Sequence, residues 1–313
     1  MNQKLKILIT GATGFIGQHL LEDLDADKYI ISIITRDKSK PIRYLPHHCN
    51  IFEADLLDVE SLKVAMKNQD VLINLAAEVR DNYKLFSTNI SGTKNLIEAI
   101  KLSEIKHIIH LSSVGVVGKS YNSSILNVDE TTICTPQNEY ERTKHISEQL
   151  LFETFGKINS FNLCILRPTN VYGEFHPFNA LLRMINHIQS GKILALKKNA
   201  IVNYVYVKDI TSFICKTIEN PIETGVYNIG EAETLESFFK TISKLLKLKL
   251  KLILIPLIIV RFAQFLGLKK LNPISNCIIY SDNKLKSSFT YPYGNLEGLN
   301  RTIIHYRKLK LLK

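Results

Sequence analysis

Tyr140 and Lys144 stand four residues apart in EYERTKHISEQLLFETF, whose periodicity predicts a helix. Both side chains would leave one face of it. A phenol at its ordinary pKa of about 10 is a poor base at neutral pH, and a neighbouring ammonium lowers that value by favouring the phenolate. By itself the pattern fits a solvated helix face equally well. It gains meaning from the apolar run HIIHLSS upstream, which ends in Ser112-Ser113. A hydroxyl, a phenol and an ammonium together can exchange a proton with a substrate hydroxyl or carbonyl.

A second stretch with chemical content is GATGFIG, residues 11 to 17, which follows the apolar run KILIT. Gly11 permits a tight turn, Gly14 lets backbone approach a pyrophosphate, and Gly17 lets a helix pack closely on a sheet. Unpaired N–H groups at the helix start then face the phosphates. The expected ligand is a dinucleotide.

These residues need a scaffold, and the first 170 residues supply its pattern. KILIT, YIISIIT, IFEAD, VLINLA, HIIHLSS and FNLCILRP read as strands. FIGQHLLEDL, DVESLKVAMKN, TNISGTKNLIEAIK and EYERTKHISEQLLFETF read as the helices between them. Alternation with almost wholly apolar strands predicts an α/β fold, a doubly wound parallel sheet of Rossmann type covered on both faces. After residue 170 the rhythm loosens and Pro and Asn become more frequent. Residues 1–170 are read as the dinucleotide-binding domain. Residues 171–313 are read mainly as a smaller substrate-binding region, with some segments returning to the sheet.

Composition narrows the class. With 313 residues, 45% of them hydrophobic, the chain can bury a sizeable core. Cys49, Cys134, Cys164, Cys215 and Cys277 are scattered without metal-ligand spacing, as in a reduced cytoplasmic protein, and no metal is expected. The N-terminal apolar run is too short for a signal peptide. Forty Lys/Arg against 29 Asp/Glu give +11, but no nucleic-acid recognition motif accompanies the charge, and no nucleic-acid partner is expected. In LKLILIPLIIVRFAQFLGLKK, residues 250 to 270, the uninterrupted apolar part is well short of a membrane span. A buried strand followed by a helix from near Pro256 explains it, with an interfacial amphipathic helix as the alternative.

The G-x-x-G-x-x-G spacing, with Ala12-Thr13 inside it, resembles the extended short-chain dehydrogenase/reductase superfamily, and within it the NAD-dependent epimerase/dehydratase group. The resemblance continues in order through Asp55-Leu56, Asn74-Leu75-Ala76-Ala77, Asn89 in TNISGTKNL, Leu111-Ser112-Ser113, the Tyr140 to Lys144 stretch, Arg167 to Gly173, and Tyr227 to Gly230. It reaches EGLNRTI at Glu297 to Ile303.

The resemblance implies catalysis by Ser113, Tyr140 and Lys144. Ser113 is chosen over Ser112 because it lies five residues before Gly118. It implies cofactor contacts from Gly11, Thr13, Gly14, Phe15, Ile16, Gly17, Arg36, Asp55, Leu56, Asn74, Ala76, Ala77, Asn89, Lys144, Arg167 and Pro168. Substrate contacts are expected from Ser113, Asn170 and Tyr172. The second strand runs into Thr35-Arg36-Asp37, where an acidic residue binding the adenosine ribose is usual. Arg36 suits a 2′-phosphate, so the cofactor is read as NADP or NAD, with NADP favoured.

The expected chemistry is hydride transfer at a sugar carbon, C4, of a nucleotide-activated sugar. Val114-Gly115 stands where dehydratases of the group carry Asp-Glu, which argues against dehydration. Val202-Asn203-Tyr204 lacks the arginine that holds the diphosphate in the 4-epimerases, a role then left to Arg183 or Arg261. Ketoreduction at C4 is favoured slightly over epimerisation. A hydroxysteroid-type or other small-carbonyl reductase, and a non-catalytic NADP-sensing regulator, are the alternatives. A homodimer is an expectation of the resemblance, through the helices of residues 88 to 102 and 140 to 155.

Overall fold

The structure is a computed structural model and describes residues 4–118, 126–177, 180–256, 258–259 and 277–312. In chain order its strands are β1 (Leu5–Thr10), β2 (Tyr29–Thr35), β3 (Asn50–Glu53), β4 (Val71–Asn74), β5 (His107–Leu111), β6 (Leu126–Val128), β7 (Asn162–Pro168), β8 (Asn170–Tyr172), β9 (Leu194–Lys197), β10 (Ile201–Tyr206), β11 (Gly225–Ile229), β12 (Glu231–Thr234), β13 (Leu252–Ile255) and β14 (Ile278–Tyr280). The helices are α1 (Phe15–Asp23), α2 (Val59–Met66), α3 (Asn82–Leu85), α4 (Gly92–Lys101), α5 (Glu139–Phe155), α6 (Ala180–Gln189), α7 (Val207–Glu219), α8 (Leu235–Leu246), α9 (Asn283–Lys286) and α10 (Gly294–Lys308). A π-helical turn, Phe86–Ser91, joins α3 to α4, and a 3₁₀ turn, Val114–Val117, follows β5.

The chain divides into two compact units. One holds the described residues of Met1–Gly118, Ile133–Pro168 and Ile210–Tyr227; the other holds those of Lys119–Thr132, Thr169–Asp209 and Asn228–Lys313.

The first unit is built on a seven-stranded sheet of order β11-β7-β5-β4-β1-β2-β3. Its β1–β2, β2–β3, β1–β4, β4–β5 and β5–β7 pairs run parallel. Strands buried on both faces must be apolar throughout, as Ile7, Leu8 and Ile9 of β1 are. One face packs its Leu8, Leu72, Ile108 and Ile165 against Leu62 and Met66 of α2, Leu96 and Ile100 of α4, and Leu151 and Phe155 of α5. The order reverses between β1 and β4. Parallel sheets open a crevice at the carboxyl ends of strands beside such a reversal.

The second unit consists of three small sheets, β12-β10-β8, β13-β9 and β14-β6. Buried Asn203 ties β10 to β14: its Nδ2 donates to the Ile278 carbonyl at 2.8 Å, and its Oδ1 accepts from the Tyr280 N–H at 3.2 Å. Asp209 accepts from the N–H groups of Tyr293 and Gly294, both at 3.0 Å, where α10 begins. Burial raises the Asp209 carboxyl to about 6, against the pull of those two bonds.

Candidate active site

The crevice predicted by the strand order is present in the first unit, as a cleft of about 600 Å³. Gly11, Thr13 and Gly14 line it from the end of β1, Thr35, Arg36 and Asp37 from β2, Asp55 and Leu56 from β3, and Ala76 and Ala77 from β4. The three glycines divide their work. Gly11 has φ +69°, and a Cβ there would lie 2.7 Å from the Ala76 nitrogen. At Gly17 a Cβ would lie 2.3 Å from the Gly11 carbonyl. Both are therefore required by the turn itself. A Cβ on exposed Gly14 would meet nothing closer than the Gly11 carbonyl at 3.1 Å, so its bare backbone is free to receive a ligand. Gly14 also caps α1 without a side-chain hydrogen bond, and the first turn of α1 has no acidic residue. Unpaired N–H groups and the positive end of the helix dipole remain available there to an anion.

Beneath this cleft the strand ends are joined by a buried chain of polar groups. The Ala76 N–H donates to Thr10 Oγ1 at 3.2 Å, and the Thr10 hydroxyl donates to Asn74 Oδ1 at 2.6 Å. Asn74 Nδ2 then meets His110 Nδ1 at 2.9 Å. With Asn74 oriented by Thr10, its amide donates, which makes Nδ1 of His110 the acceptor. Burial, and next the Lys144 ammonium, hold the His110 imidazole neutral, well below its usual pKa. Asn74 thus spends its side chain inside the sheet rather than on the cleft wall.

Tyr140 and Lys144 lie on α5, whose start is capped by Asn138 accepting from the Glu141 N–H at 2.9 Å. The helix is pinned by Asn89, in the middle of the π-helical turn. Asn89 Nδ2 donates to Thr143 Oγ1 at 3.0 Å and to the Glu78 carbonyl at 3.0 Å. The Asn89 carbonyl accepts from Ser147 Oγ and Thr93 Oγ1, both at 2.6 Å. A π turn disrupts the regular i to i−4 ladder, and here side-chain hydroxyls occupy its carbonyl. Asn89 holds α5 and does not line the cleft.

Lys144 is 3% exposed, and its Nζ donates to the Leu111 carbonyl at 2.5 Å. Burial pulls its ammonium down to about 8, with Glu148 resisting. The Tyr140 phenol moves opposite to the expectation from the sequence: burial, and then the Glu141 carboxylate, push it up to about 12. The ammonium expected to lower it is engaged with a backbone carbonyl. At neutral pH Tyr140 is a proton donor in this state. Ser113 Oγ accepts from the Gly115 N–H at 3.1 Å and opens the 3₁₀ turn after β5. Ser112 Oγ is buried near the Glu148 carboxylate, whose ionised form it helps to favour.

Arg167 also departs from its expected place. It is 4% exposed, and its guanidinium grips Glu148 through Nε at 2.9 Å and Nη2 at 2.6 Å. That fork holds the Glu148 carboxyl down to about 2, against the penalty of burial. Cys134, His145 and Glu148 bring their ligand atoms within 4.8 Å of one another. The same Nη2 lies 3.3 Å from Cys134 Sγ, so a guanidinium already holds the position a metal ion would need. Pro168, next along, is buried at the end of β7.

Asn170 and Tyr172 belong to the second unit. Asn170 Nδ2 donates to the Asn203 carbonyl at 2.9 Å. Tyr172 is 3% exposed, and its hydroxyl lies 3.1 Å from the Asn295 carbonyl. Arg183 is exposed on α6, and Arg261 lies outside the described residues. Reading the sequence missed Lys40, Lys84 and Thr88, which also line the cleft. Lys40 had a signal in the cluster TRDKSK, whereas Lys84 and Thr88 arrive through the turns around α3. No helix among the described residues is long and apolar enough to cross a membrane.

Comparison with known proteins agrees with this geometry. The N-acetyl-alpha-D-glucosaminyl-diphospho-ditrans,octacis-undecaprenol 4-epimerase of Escherichia coli O157:H7 is 32% identical over 232 residues, covering 71% of this chain and 66% of that one. The dTDP-D-glucose 4,6-dehydratase of Dictyostelium discoideum is 29% identical over 256 residues, 72% of this chain and 58% of that one. The chain thus spans a little under two thirds of the length of these relatives. Among solved structures, the UDP-glucose 4-epimerase of Thermotoga maritima with UDP-glucose superposes with a TM-score of 0.74 at 23% identity, covering 98% and 100% of the two chains. The Bordetella bronchiseptica enzyme WbmG in complex with NAD gives 0.78 at 15% identity, covering 99% and 96%. Residues 7–230 match the model of the NAD dependent epimerase/dehydratase family, and the chain belongs to that family.

Proposed function

We propose that the chain transfers hydride at C4 of a sugar joined to a diphosphate carrier, with Ser113, Tyr140 and Lys144 as its catalytic residues. The observation that carries this reading is the placement of Tyr140 and Lys144 on a helix pinned through Asn89, in the same unit as the nucleotide cleft. The cleft fits a dinucleotide. Gly14 and the start of α1 would hold its pyrophosphate, Arg36 and Lys40 the adenosine ribose end, and Asp55 and Leu56 the adenine. Bound nicotinamide supplies the hydride acceptor and donor. Tyr140, protonated at neutral pH, gives its proton to a carbonyl oxygen as that carbon is reduced, and Ser113 hydrogen-bonds the same oxygen. Lys144 fixes the strand end at Leu111 and presents an ammonium to the ribose.

The name of the E. coli relative supports net epimerisation at C4. A second reading is NADPH-dependent reduction of a 4-keto sugar. It is favoured by Arg36 and Lys40 on the cleft wall, with the Asp37 carboxylate turned back onto the N–H and hydroxyl of Ser39 at 2.8 and 2.5 Å. Denaturing the purified protein and identifying released nucleotide by mass spectrometry separates them. NAD at near one per chain supports epimerisation, since an epimerase regenerates its cofactor in each turnover. An empty protein that binds NADPH over NADH, with the preference lost in Arg36→Ala, supports reduction. A protein that is empty and binds neither defeats both.

A further inference from the structure

The positive charge of the chain is concentrated. Between Glu236 and Asp282 there is no acidic residue, while Lys240, Lys244, Lys247, Lys249, Lys251, Arg261, Lys269 and Lys270 fall in that interval. Eight of the eleven net charges therefore come from 45 residues, and the rest of the chain is nearly neutral. Lys240 pairs with Glu236 at 2.7 Å. Lys244, Lys247, Lys249 and Lys251 form no ion pair among the described residues.

In the second unit these lysines share a surface with apolar side chains. Among the described residues strand β13 pairs only with β9, in parallel, with Leu252 opposite Leu194 and Ile253 opposite Ala195. The Leu194 N–H donates to the Lys251 carbonyl at 2.9 Å, which brings Ile193 beside Lys251. Ile193 is 59% exposed and Ile253 53%, and just after the strand Ile258 is 77% and Ile259 54% exposed. Lysines alone on a two-stranded ribbon would be ordinary protection of free strand edges. That protection does not account for exposed Ile193 and Ile253 beside Lys251, nor for Ile258 and Ile259 exposed shortly after the strand. Nor does nucleic acid, which such surfaces usually grip with aromatic rings: among the described residues of α8, Phe238 and Phe239 are buried.

We propose that the surface of Ile193 and Ile253 beside Lys251, with Lys244, Lys247 and Lys249 before β13 and Ile258 and Ile259 after it, docks the protein on an anionic lipid bilayer. Branched apolar side chains would enter the boundary of the acyl chains while the ammonium groups meet lipid phosphates. Attachment is peripheral and reversible. The inference goes beyond the proposed reaction and does not depend on it. The remainder of the 250 to 270 stretch, where the sequence allowed an interfacial helix, lies largely outside the described residues.

Co-sedimentation with sucrose-loaded vesicles tests this directly. Purified full-length protein should bind vesicles of phosphatidylglycerol and phosphatidylcholine at least about tenfold more strongly than vesicles of phosphatidylcholine alone, with binding weakened by salt. Replacing Ile193 and Ile253 together by serine should reduce binding by about tenfold while leaving circular dichroism and melting temperature unchanged, because both side chains are already exposed. Replacing Lys247, Lys249 and Lys251 by glutamine should abolish the preference for anionic lipid. Equal partition onto both vesicle types would overturn the proposal. So would vesicle binding indifferent to the isoleucine changes, which would be adsorption of charge only. A stable dimer dissociated by Ile253→Ser, with no vesicle binding, would assign the surface to a second copy instead.

Discussion

The two units solve the burial of polar side chains differently. In the first, the buried chain from Thr10 through Asn74 to His110 runs across neighbouring strand ends of one parallel sheet. In the second, Asn203 reaches Ile278 and Tyr280, more than 70 residues away, to tie separate small sheets together. Repetition of one β-α rhythm places the cleft-lining residues of the first unit at the carboxyl ends of β1, β2, β3 and β4. No such rhythm runs through the described residues of the second, where single long-range contacts tie the sheets together. One unit is organised by period and the other by individual bonds.

This contrast breaks most visibly at Tyr140. Tyr140→Phe removes the proposed proton donor without touching the period, so turnover should fall by about 10²–10⁴ while the melting temperature stays put. Retained activity on the true substrate would remove Tyr140 from the mechanism. Next in size is Glu148→Gln, which leaves the buried Arg167 with a neutral partner and should cost about 3–5 kcal/mol in urea unfolding at pH 7. Its pH dependence has a definite sign. The folded-state carboxyl sits at about 2, below the ordinary glutamate value of 4.5, so its stabilisation is present above pH 4.5 and is lost as pH falls toward 2. The variant should show a shallower loss over that window; an identical acid profile would mean that Glu148 is not the titrating group.

In the second unit, Asn203→Ala leaves the Ile278 carbonyl and Tyr280 N–H without their partner and should cost about 1–3 kcal/mol. A negligible change there would show that individual bonds matter less than the contrast claims. Smallest is the difference between two left-handed glycines. Gly191→Ala, with φ +66° and nothing within 4 Å of its new Cβ, should cost only about 1–2 kcal/mol. Gly11→Ala carries the same φ penalty plus backbone collisions at 2.7 Å, so it should exceed Gly191→Ala. Equal melting temperatures for the pair would refute the claim that the Gly11 turn is closed by packing.

The sequence made the first unit legible because its signals are local. GATGFIG sits in one turn, apolar runs mark each strand, and four-residue spacing puts Tyr140 and Lys144 on one face. What the sequence hid was the direction in which polar side chains are spent. Asn74 and Arg167 fall in segments resembling cofactor-binding motifs, yet their partners, His110 and Glu148, are distant in sequence and leave no local trace. The rise in the Tyr140 pKa was hidden for the same reason: it depends on burial and on Lys144 choosing the Leu111 carbonyl. In the second unit Tyr172 was placed with the substrate by resemblance, but Asn295, more than 120 residues later, takes its hydroxyl.

The π turn at Phe86–Ser91 makes the placement of α5 sensitive to chain length at a point remote in sequence from Tyr140 and Lys144. Such a turn contains one residue more than an ordinary helical turn needs. Deleting a single residue there would let α3 run straight into α4 as uninterrupted helix, and each residue step is about 100° of rotation. Asn89 would swing away from Thr143 and Ser147 by that angle, and Thr88 would turn with it on the cleft wall. The spare residue acts as a phase shift, and a shortened gene could lose activity through a frame-preserving deletion of three bases that removes neither a catalytic group nor a buried apolar one.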